Sequence, residues 1–334
     1  MSERKEVARM FIDQGHQVAV SLKASKLSPS TFYYVAKGGR RGKRASEYTR
    51  KNDGSFVVND VVVKDIRKLL SHEFVDYGYI KVTHWLRKRA GYLINKKKVY
   101  RLMREHKLLN SKRIVQRSPR LWVTELVPQP DGVFEHLEVD IKYIHVHGTR
   151  QNLLQLTVLD VKSRYVLGYT QGLSIRQEDV INLFEKIFAT IKLPTSYYIR
   201  CDNGSQFVAK SVRKFFEQRS GAQQEFTRPA TPEQNAHIEA FHSIIERALC
   251  RRFQFENVAD LRNIMLRFIT FYNTDRIHSG IEYECPLFEV RKTRPDFQAV
   301  WVADFTNDNA LLCHQNEGLA LVESEVGGRF DYII

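Results

Sequence analysis

Apolar residues in the first third of the chain recur three or four positions apart, which is the spacing of amphipathic helices. These stretches predict short helices over residues 7–11, 18–22, 61–70 and 82–86. Between the second and the third, Ser28, Ser30 and Thr31 form a cluster of N-capping residues that opens another short helix. The pattern indicates two groups of helices, each of helix-turn-helix type.

One helix of the second group combines an apolar stripe with a basic face. Asn95 is its predicted N-cap, and Val99, Leu102 and Met103 face inward from the predicted helix 96–106. Five basic residues occupy the rest of its surface: Lys96, Lys97, Lys98, Arg101 and Arg104. A basic third helix behind two packed helices is the layout of a recognition helix, so we expect these five side chains to contact DNA. The alternative is a basic surface helix without a ligand.

From residue 137 onward the pattern changes to strands that alternate with helices. Residues 137–143 alternate with period two, and residues 153–161 form a nearly continuous apolar run. Further strands are predicted over 165–169, 197–201 and 224–227. Helical stripes are predicted over 180–191, 212–216, 235–252 and 261–272. Three strands in a meander, followed by alternating helices and strands, indicate an α/β fold with a mixed sheet.

Changes of composition divide the chain into segments. Residues 37–55 are rich in Gly, Lys and Arg and have few apolar side chains, which is typical of a linker. The predicted segments are a helix-turn-helix-like start (1–36), a basic linker (37–58), a second helix-turn-helix module (59–120), another linker (121–132), the α/β core (133–290) and a C-terminal tail or small strand-rich extension (291–334).

The charge is distributed unevenly between these segments. The whole chain has a net charge of +14, whereas residues 1–120 contain 29 Lys and Arg against 10 Asp and Glu, a net charge of +19. A strongly basic front third joined to a mildly acidic remainder indicates a module that binds a polyanion, attached to a second domain with another task. The alternative is a basic domain that is merely soluble.

Hydropathy and cysteine content exclude several other classes of protein. No run approaches the roughly 18 apolar residues of a membrane span, and the first residues lack the apolar segment of a signal peptide. The four cysteines are far apart and form no CxxC pair, which argues against a zinc finger and against a disulfide framework. We therefore expect a protein of the reducing cytoplasm without membrane contact.

Three carboxylates stand at positions suited to metal chemistry. Asp140 lies on the polar face of the first core strand, Asp202 follows the fourth strand, and Glu239 lies on a helix. Acids from two strands and a facing helix can converge on a pair of hard cations such as Mg²⁺, and two such ions support in-line phosphoryl transfer. Taken singly, each acid has a plainer interpretation: a surface residue of a strand, a turn, and an exposed helix position.

Several blocks of the sequence match one family pattern in order. Each predicted acid lies in its own block: Asp140 in 137–144 (LEVDIKYI), Asp202 in 201–207 (CDNGSQF) and Glu239 in 235–241 (NAHIEAF). Further blocks are 271–279 (FYNTDRIHS), and 77–83 together with 95–104. The three acidic blocks resemble the catalytic blocks of the integrase-like DDE transposases. The others resemble the end of that core and the helix-turn-helix before it in the IS-three group of bacterial insertion sequences, OrfB type.

This resemblance implies a fold, a cofactor and a reaction. The core is expected to be ribonuclease-H-like, with Asp140, Asp202 and Glu239 as catalytic, metal-binding acids for two Mg²⁺ ions, for which Mn²⁺ substitutes. The expected reaction is cleavage and joining of double-stranded DNA at terminal inverted repeats. Four residues of the same blocks are predicted as auxiliary contacts to phosphate or to the metal shell: Lys142, Asn203, His237 and His242.

The resemblance also implies partners and a location. A homo-oligomer that bridges two element ends is expected, together with an upstream OrfA-type partner or a frameshift fusion, in the bacterial cytoplasm on nucleoid DNA. Two other functions compete with a transposase. One is a non-catalytic DNA-binding derivative that acts as a regulator or accessory subunit. The other is a metal-dependent ribonuclease for RNA–DNA hybrids, which the two basic helical modules disfavour because hybrid shape can be recognised without them.

Overall fold

The computed structural model describes residues 2–35, 45–110, 129–228 and 232–305. It divides into two units, Met1–Glu47 and Tyr48–Ile334. The first unit contains three helices: α1 (Ser2–Asp13), α2 (Val18–Ala24) and α3 (Pro29–Phe32). Ser28 caps α3 by accepting a hydrogen bond from the Thr31 amide at 3.2 Å. The small core of this unit is formed by Ala8, Leu22 and Leu27. The helices predicted for the start of the chain are thus confirmed.

The second unit opens with a β-hairpin where the sequence predicts a linker. Strands β1 (Tyr48–Lys51) and β2 (Phe56–Val58) pair antiparallel. The turn between them is held by Asp53, whose Oδ1 accepts from the amide and the hydroxyl of Ser55. The prediction of a linker over 37–58 is therefore wrong for its second half, residues 48–58, where the two strands pair and Thr49 of β1 is buried. Residues 37–44 of that segment lie outside the described residues.

Three helices follow the hairpin in the arrangement of a helix-turn-helix module. They are α4 (Asn59–Leu70), α5 (Tyr79–Lys88) and α6 (Lys96–Glu105), with the short strand β3 (Tyr92–Leu93) before α6. Asn95 caps α6, since its Oδ1 accepts from the Lys97 amide at 2.8 Å. The predicted stripe of α6 is confirmed: Val99, Leu102 and Met103 are buried. Strand β3 pairs with β1, so the hairpin and the three helices form one body.

A six-stranded mixed sheet forms the centre of the remaining chain. Its strands are β4 (His136–Val146), β5 (Gln151–Asp160), β6 (Val166–Gly172), β7 (Tyr197–Cys201), β8 (Ala222–Phe226) and β9 (Val302–Asp304). They lie in the order β8-β7-β4-β5-β6-β9. The meander β4-β5-β6 is antiparallel, while β7 and β8 run parallel to β4. This sheet confirms the mixed α/β core that the sequence predicts.

Helices cover the sheet. They are α7 (Gln177–Thr190), α8 (Ser205–Val208), α9 (Lys210–Glu217), α10 (Ala236–Ile245), α11 (Val258–Thr274) and α12 (Pro286–Thr293). Helix α10 continues without interruption into one π-helical segment, Glu246–Cys250. The helices predicted over 180–191, 212–216, 235–252 and 261–272 are thus confirmed, with ends that shift by a few residues.

The C-terminal boundary predicted at residue 290 is too early. Helix α12 crosses it, and β9 joins the core sheet by pairing parallel with β6. Trp301, next to β9, is almost completely buried, so this segment belongs to the core. Residues 306–334, and residues 111–128 with most of the second predicted linker, lie outside the described residues.

Within the described ranges, no helix has the length and apolar content needed to cross a bilayer. The same ranges contain Cys201, Cys250 and Cys285, which are all free thiols. Cys313 lies outside them.

Candidate active site

Two of the predicted acids lie side by side because their strands are parallel neighbours. Strand β4 pairs with β7 in the register Glu138↔Arg200 and Val139↔Cys201. The next residue on each strand is an acid, Asp140 on β4 and Asp202 just after the end of β7. Asp202 is exposed, and its Oδ1 accepts from the Gly204 amide at 2.9 Å, which fixes the turn that follows β7. The carboxyl end of such a strand is where ligand sites of α/β sheets gather.

Helix α10 lies along strand β4 in a matched register. Three contacts join the two elements: Glu138 Oε2 accepts from the Ile238 amide at 2.7 Å, His242 Nδ1 lies 3.6 Å from Asp140 Oδ2, and Lys142 Nζ lies 3.6 Å from Glu246 Oε2. The strand residues are two apart and the helical residues four apart. Two strand residues rise by about 6.6 Å and four helical residues by about 6 Å, so the spacings agree. Glu239 thereby stands in the first turn of α10 beside the first residues of β4, with its side chain exposed.

Electrostatics connects all three acids. Burial raises the pKa of Asp140 to about 7, the Ile141 amide lowers it, and the carboxylates of Asp202 and Glu239 raise it further. Asp140 therefore lies within the field of both other predicted acids. Like charges that are held close together favour the binding of a cation, which removes their mutual repulsion.

The donor set of this cluster fits a hard divalent cation. In the part of the chain that the structure describes, no three His, Cys, Asp or Glu side chains converge closely enough to hold a metal ion by themselves. Mg²⁺ does not need such a cage, because it is usually held by one or two carboxylates together with water and substrate phosphate oxygens. Three electrostatically coupled carboxylates at the carboxyl end of β7 match that preference.

The four predicted auxiliary residues separate into different places. His242 is buried beside Asp140, and burial, with Lys142 as a second cause, lowers the pKa of His242 to about 4, so that its ring is neutral. Lys142 on β4 faces Glu246 at the start of the π-helical segment that follows α10. The side-chain amide of Asn203 donates to the Thr227 carbonyl at 2.7 Å and so braces the turn after β7.

His237 faces a different part of the molecule. It lines a cleft of about 420 Å³ together with Lys162, Arg164 and Gly280. Burial lowers the pKa of His237 to about 3, and the positive charge of Arg164 lowers it further. Of the two predicted histidines, the structure thus brings His242 to the acid cluster and turns His237 to the cleft.

Two residues near the cluster were not among the sequence-based candidates. The Arg200 guanidinium donates to Glu225 Oε2 and to the Gln234 carbonyl, so it ties strands β7 and β8 to the segment before α10. Glu138, two residues before Asp140 on β4, is fully buried, and burial raises its pKa to about 7. Its hydrogen bond to the Ile238 amide holds the start of α10. The signal for Glu138 was present in the sequence, since it alternates with Asp140 on one strand face.

The predicted DNA-binding residues share helix α6 but differ in their surroundings. Lys96, Lys97 and Arg104 are exposed, and Arg101 is half-buried. Lys98 donates to the Tyr48 carbonyl at 2.6 Å and so fastens α6 to the hairpin. The outer face of α6 is therefore basic and accessible, and its charge comes from four of the five predicted residues.

Comparison with known proteins agrees with this arrangement. Residues 58–116 match the model of an HTH-like domain, and residues 130–232 and 220–286 match two models of an integrase core domain. The chain is 26% identical over 252 residues to the transposase of insertion sequence element IS904 from Lactococcus lactis, covering 71% of this chain and 96% of the relative. It is 24% identical over 274 residues to the InsK protein of element IS150 from Escherichia coli, covering 80% and 90%.

Solved structures similar to the chain include viral integrases. One is the intasome of simian T-cell lymphotropic virus in complex with a PP2A regulatory subunit, at 14% identity and a TM-score of 0.42, covering 66% of this chain and 72% of that one. Another is the HTLV-2 integrase catalytic core domain in complex with magnesium, at 13% identity and a TM-score of 0.38, covering 48% and 98%.

The matched domains and the sheet confirm the fold class predicted from the sequence, a ribonuclease-H-like mixed sheet that follows helical modules. They also confirm the family resemblance that the sequence motifs indicate. The chain contains an HTH-like domain and an integrase core domain and is similar to the transposases of bacterial insertion sequences.

Proposed function

We propose that this protein is a DNA transposase that binds the terminal inverted repeats of an insertion sequence and catalyses metal-dependent strand cleavage and strand transfer. One observation carries the proposal. The register of β4, β7 and α10 brings Asp140, Asp202 and Glu239 into one electrostatic cluster at the carboxyl end of β7. Acids in such a cluster repel DNA unless cations are bound between them, so their presence beside a DNA-binding module indicates metal-dependent chemistry on phosphate.

Asp140, Asp202 and Glu239 would hold two Mg²⁺ ions, with Mn²⁺ as a substitute. When bound, the metal ions supply charge stabilisation to the attacking and leaving oxygens of an in-line phosphoryl transfer. The chain's own residues provide the frame: Glu138 fixes α10 against β4, and the turn closed by Asp202 presents its carboxylate at the end of β7. His242 is neutral, and its Nδ1 faces Asp140. The imidazole can therefore orient that carboxylate without adding a positive charge that would repel the metal ions.

The basic helix α6 is the proposed contact to the element ends. Its exposed lysines and Arg104 stand on the outer face of a capped helix, which suits the major groove and the flanking phosphates. A homo-oligomer on two DNA ends, and an upstream OrfA-type partner or frameshift fusion, stay predictions, as does location on the bacterial nucleoid.

The test is cleavage of a labelled DNA duplex that carries the inverted repeat of the element. We expect the full chain to nick this duplex at the 3′ end of the repeat in Mg²⁺ or Mn²⁺ and to be silent with a chelator. A duplex of scrambled sequence is the control for end recognition. Binding of the repeat without cleavage in either metal, with the upstream partner supplied, would favour the non-catalytic DNA-binding protein instead.

A further inference from the structure

The segment 271–279, which the sequence singles out and the proposed chemistry does not use, makes contact with the HTH-like domain. Arg276 has an exposed fraction of 1%, and its Nη2 lies 2.7 Å from Oδ1 of Asp76, a residue of the HTH-like domain. One position further, the Ile277 amide donates to the Tyr77 hydroxyl at 3.0 Å. His278 is buried and its ring packs against Tyr272. This stretch therefore packs against the HTH-like domain through Arg276 and Ile277.

Asp76 also reaches the helix that carries the third acid. Its Oδ2 accepts from Arg247 Nε at 3.2 Å. Arg247 lies in the π-helical continuation of α10, two turns after Glu239. Beside it, the Arg252 guanidinium donates to the Val75 carbonyl at 3.1 Å, and the rings of Phe253 and Phe74 pack at 6.0 Å. Residues 74–76 of the HTH-like domain thus contact residues 247–253, at the end of the helix that continues α10.

The charges around Asp76 favour one relative position of the HTH-like domain and the core. A single carboxylate faces Arg276, Arg247 and Lys81, and both Lys81 and Arg276 lie within 6 Å of the centroid of the Tyr77 ring. Burial raises the pKa of Asp76, but the cations outweigh it, so that its pKa is lowered and the side chain stays charged. Removing the carboxylate leaves a buried guanidinium without its partner, so any shift of the two domains that separates this pair is strongly unfavourable.

We infer that Asp76 is a positioning residue: by holding Arg276 and Arg247 it fixes the helix of Glu239 to the HTH-like domain, so that the grip on DNA and the alignment of the active-site acids are coupled. The catalytic half of this inference rests on the proposed transposase function. The mechanical half concerns helix α10 alone and can be tested without DNA.

The chain offers a matched control for Asp76. Glu73 is another carboxylate of the same loop, and its Oε1 pairs with Nη2 of a core arginine, Arg267, at 2.9 Å. That pair is solvent-exposed on both sides, whereas Arg276 is buried. Exposed pairs contribute little, so Glu73→Gln changes the same kind of charge in the same loop without loosening the contact.

The first measurement is hydrogen exchange of the α10 amides in the full chain without DNA. Asp76→Asn is expected to speed exchange over Ala236–Ile245 by about tenfold or more, while Glu73→Gln stays within about twofold of wild type. Arg247→Gln removes the arginine that pairs with Asp76 Oδ2, at a half-exposed position. It should also speed exchange of the α10 amides, and it keeps the test valid if Asp76→Asn fails to fold. Unchanged α10 exchange in Arg247→Gln and in any folded Asp76→Asn protein would overturn the inference.

The second measurement separates positioning from binding. At saturating repeat DNA, Asp76→Asn should cleave about tenfold more slowly and Arg247→Gln should also be slower than wild type, while the dissociation constant of each variant changes by less than about threefold. The defects of the two variants should not add, because both act through one contact. Additive defects, or a loss of binding that accounts for the loss of cleavage, would contradict the coupling. If wild type cleaves no DNA, the proposed function fails, and the exchange experiment still decides whether Asp76 positions α10.

Discussion

Asp140→Asn, Asp202→Asn and Glu239→Gln are each expected to abolish Mg²⁺-dependent cleavage and joining, by about a thousandfold or more. Each change removes one carboxylate charge with almost no change in volume. The effects should not add, since a site that needs all of its ligands is lost with the first of them. Binding of repeat DNA should persist, because it is assigned to helix α6 of another domain.

The stability of Asp140→Asn distinguishes a metal-binding role of Asp140 from a role in the fold. Asp140 is half-buried and its pKa is raised by burial and by the two other carboxylates, so its charge is unfavourable in the metal-free fold. Asp140→Asn should therefore leave the melting temperature of the metal-free protein unchanged or higher while activity disappears. A fall in both would indicate that Asp140 supports the fold.

Two neighbouring acids serve as controls in the same assay. Glu138→Gln keeps an oxygen acceptor for the Ile238 amide and should be milder than Asp140→Asn. Glu246→Gln loses only partly exposed ion pairs with Lys142 and Arg251 and should be milder still. Full activity in Glu239→Gln together with loss in Glu246→Gln would move the third ligand to residue 246.

The second large effect concerns DNA binding by α6. Replacing Lys96, Lys97 and Arg104 by Ala together should weaken binding of repeat DNA by roughly a hundredfold. The slope of log K against log salt should fall by about one for each lost phosphate contact. If Arg101 contacts a base edge, Arg101→Ala should additionally relax sequence preference, at a cost of about 1–3 kcal/mol. Mobility shifts over a series of salt concentrations measure both quantities.

Helix α4 supplies a charge-matched control for this variant. Lys64, Arg67 and Lys68 are exposed residues of the same domain, and their replacement by Ala removes the same three charges. Equal losses of affinity in the two triple variants would show that net charge alone binds DNA and would remove the special role of α6.

Sequence patterns predicted the helices and strands whose own residues carry a clear cap, apolar stripe or alternation. Helix α6 follows from its Asn95 cap and its apolar stripe, and β4 from strict alternation. The hairpin was missed because Tyr48–Val58 is mostly polar and only Thr49 on β1 is buried. Strand β9 was not assigned to the core because its partner, β6, is more than 130 residues away in the chain. A strand of only three residues, Val302–Asp304, does not disclose such a distant pairing.

In the candidate site, too, the sequence named residues, whereas contacts between distant segments decide where they lie. Family motifs named the three acids, but only the β4–β7 register places Asp140 next to Asp202. The choice between His237 and His242 depends on the phase of α10, which the contact of Ile238 with Glu138 sets. The contact of Asp76 with Arg276 spans 200 positions and has no local signal at all.

A change of ligand chemistry tests most directly that these acids hold metal. Asp202→Cys replaces a hard oxygen ligand by a thiolate, which binds Mg²⁺ poorly and softer divalent ions such as Mn²⁺ better. Ser205→Cys introduces the same thiol three residues further on and is the control, with reductant in all assays. We predict that Asp202→Cys is inactive on repeat DNA in Mg²⁺ and regains part of its cleavage in Mn²⁺, whereas Ser205→Cys behaves as wild type in both. Cleavage by Asp202→Cys at the wild-type rate in Mg²⁺ would contradict a metal-binding role for Asp202.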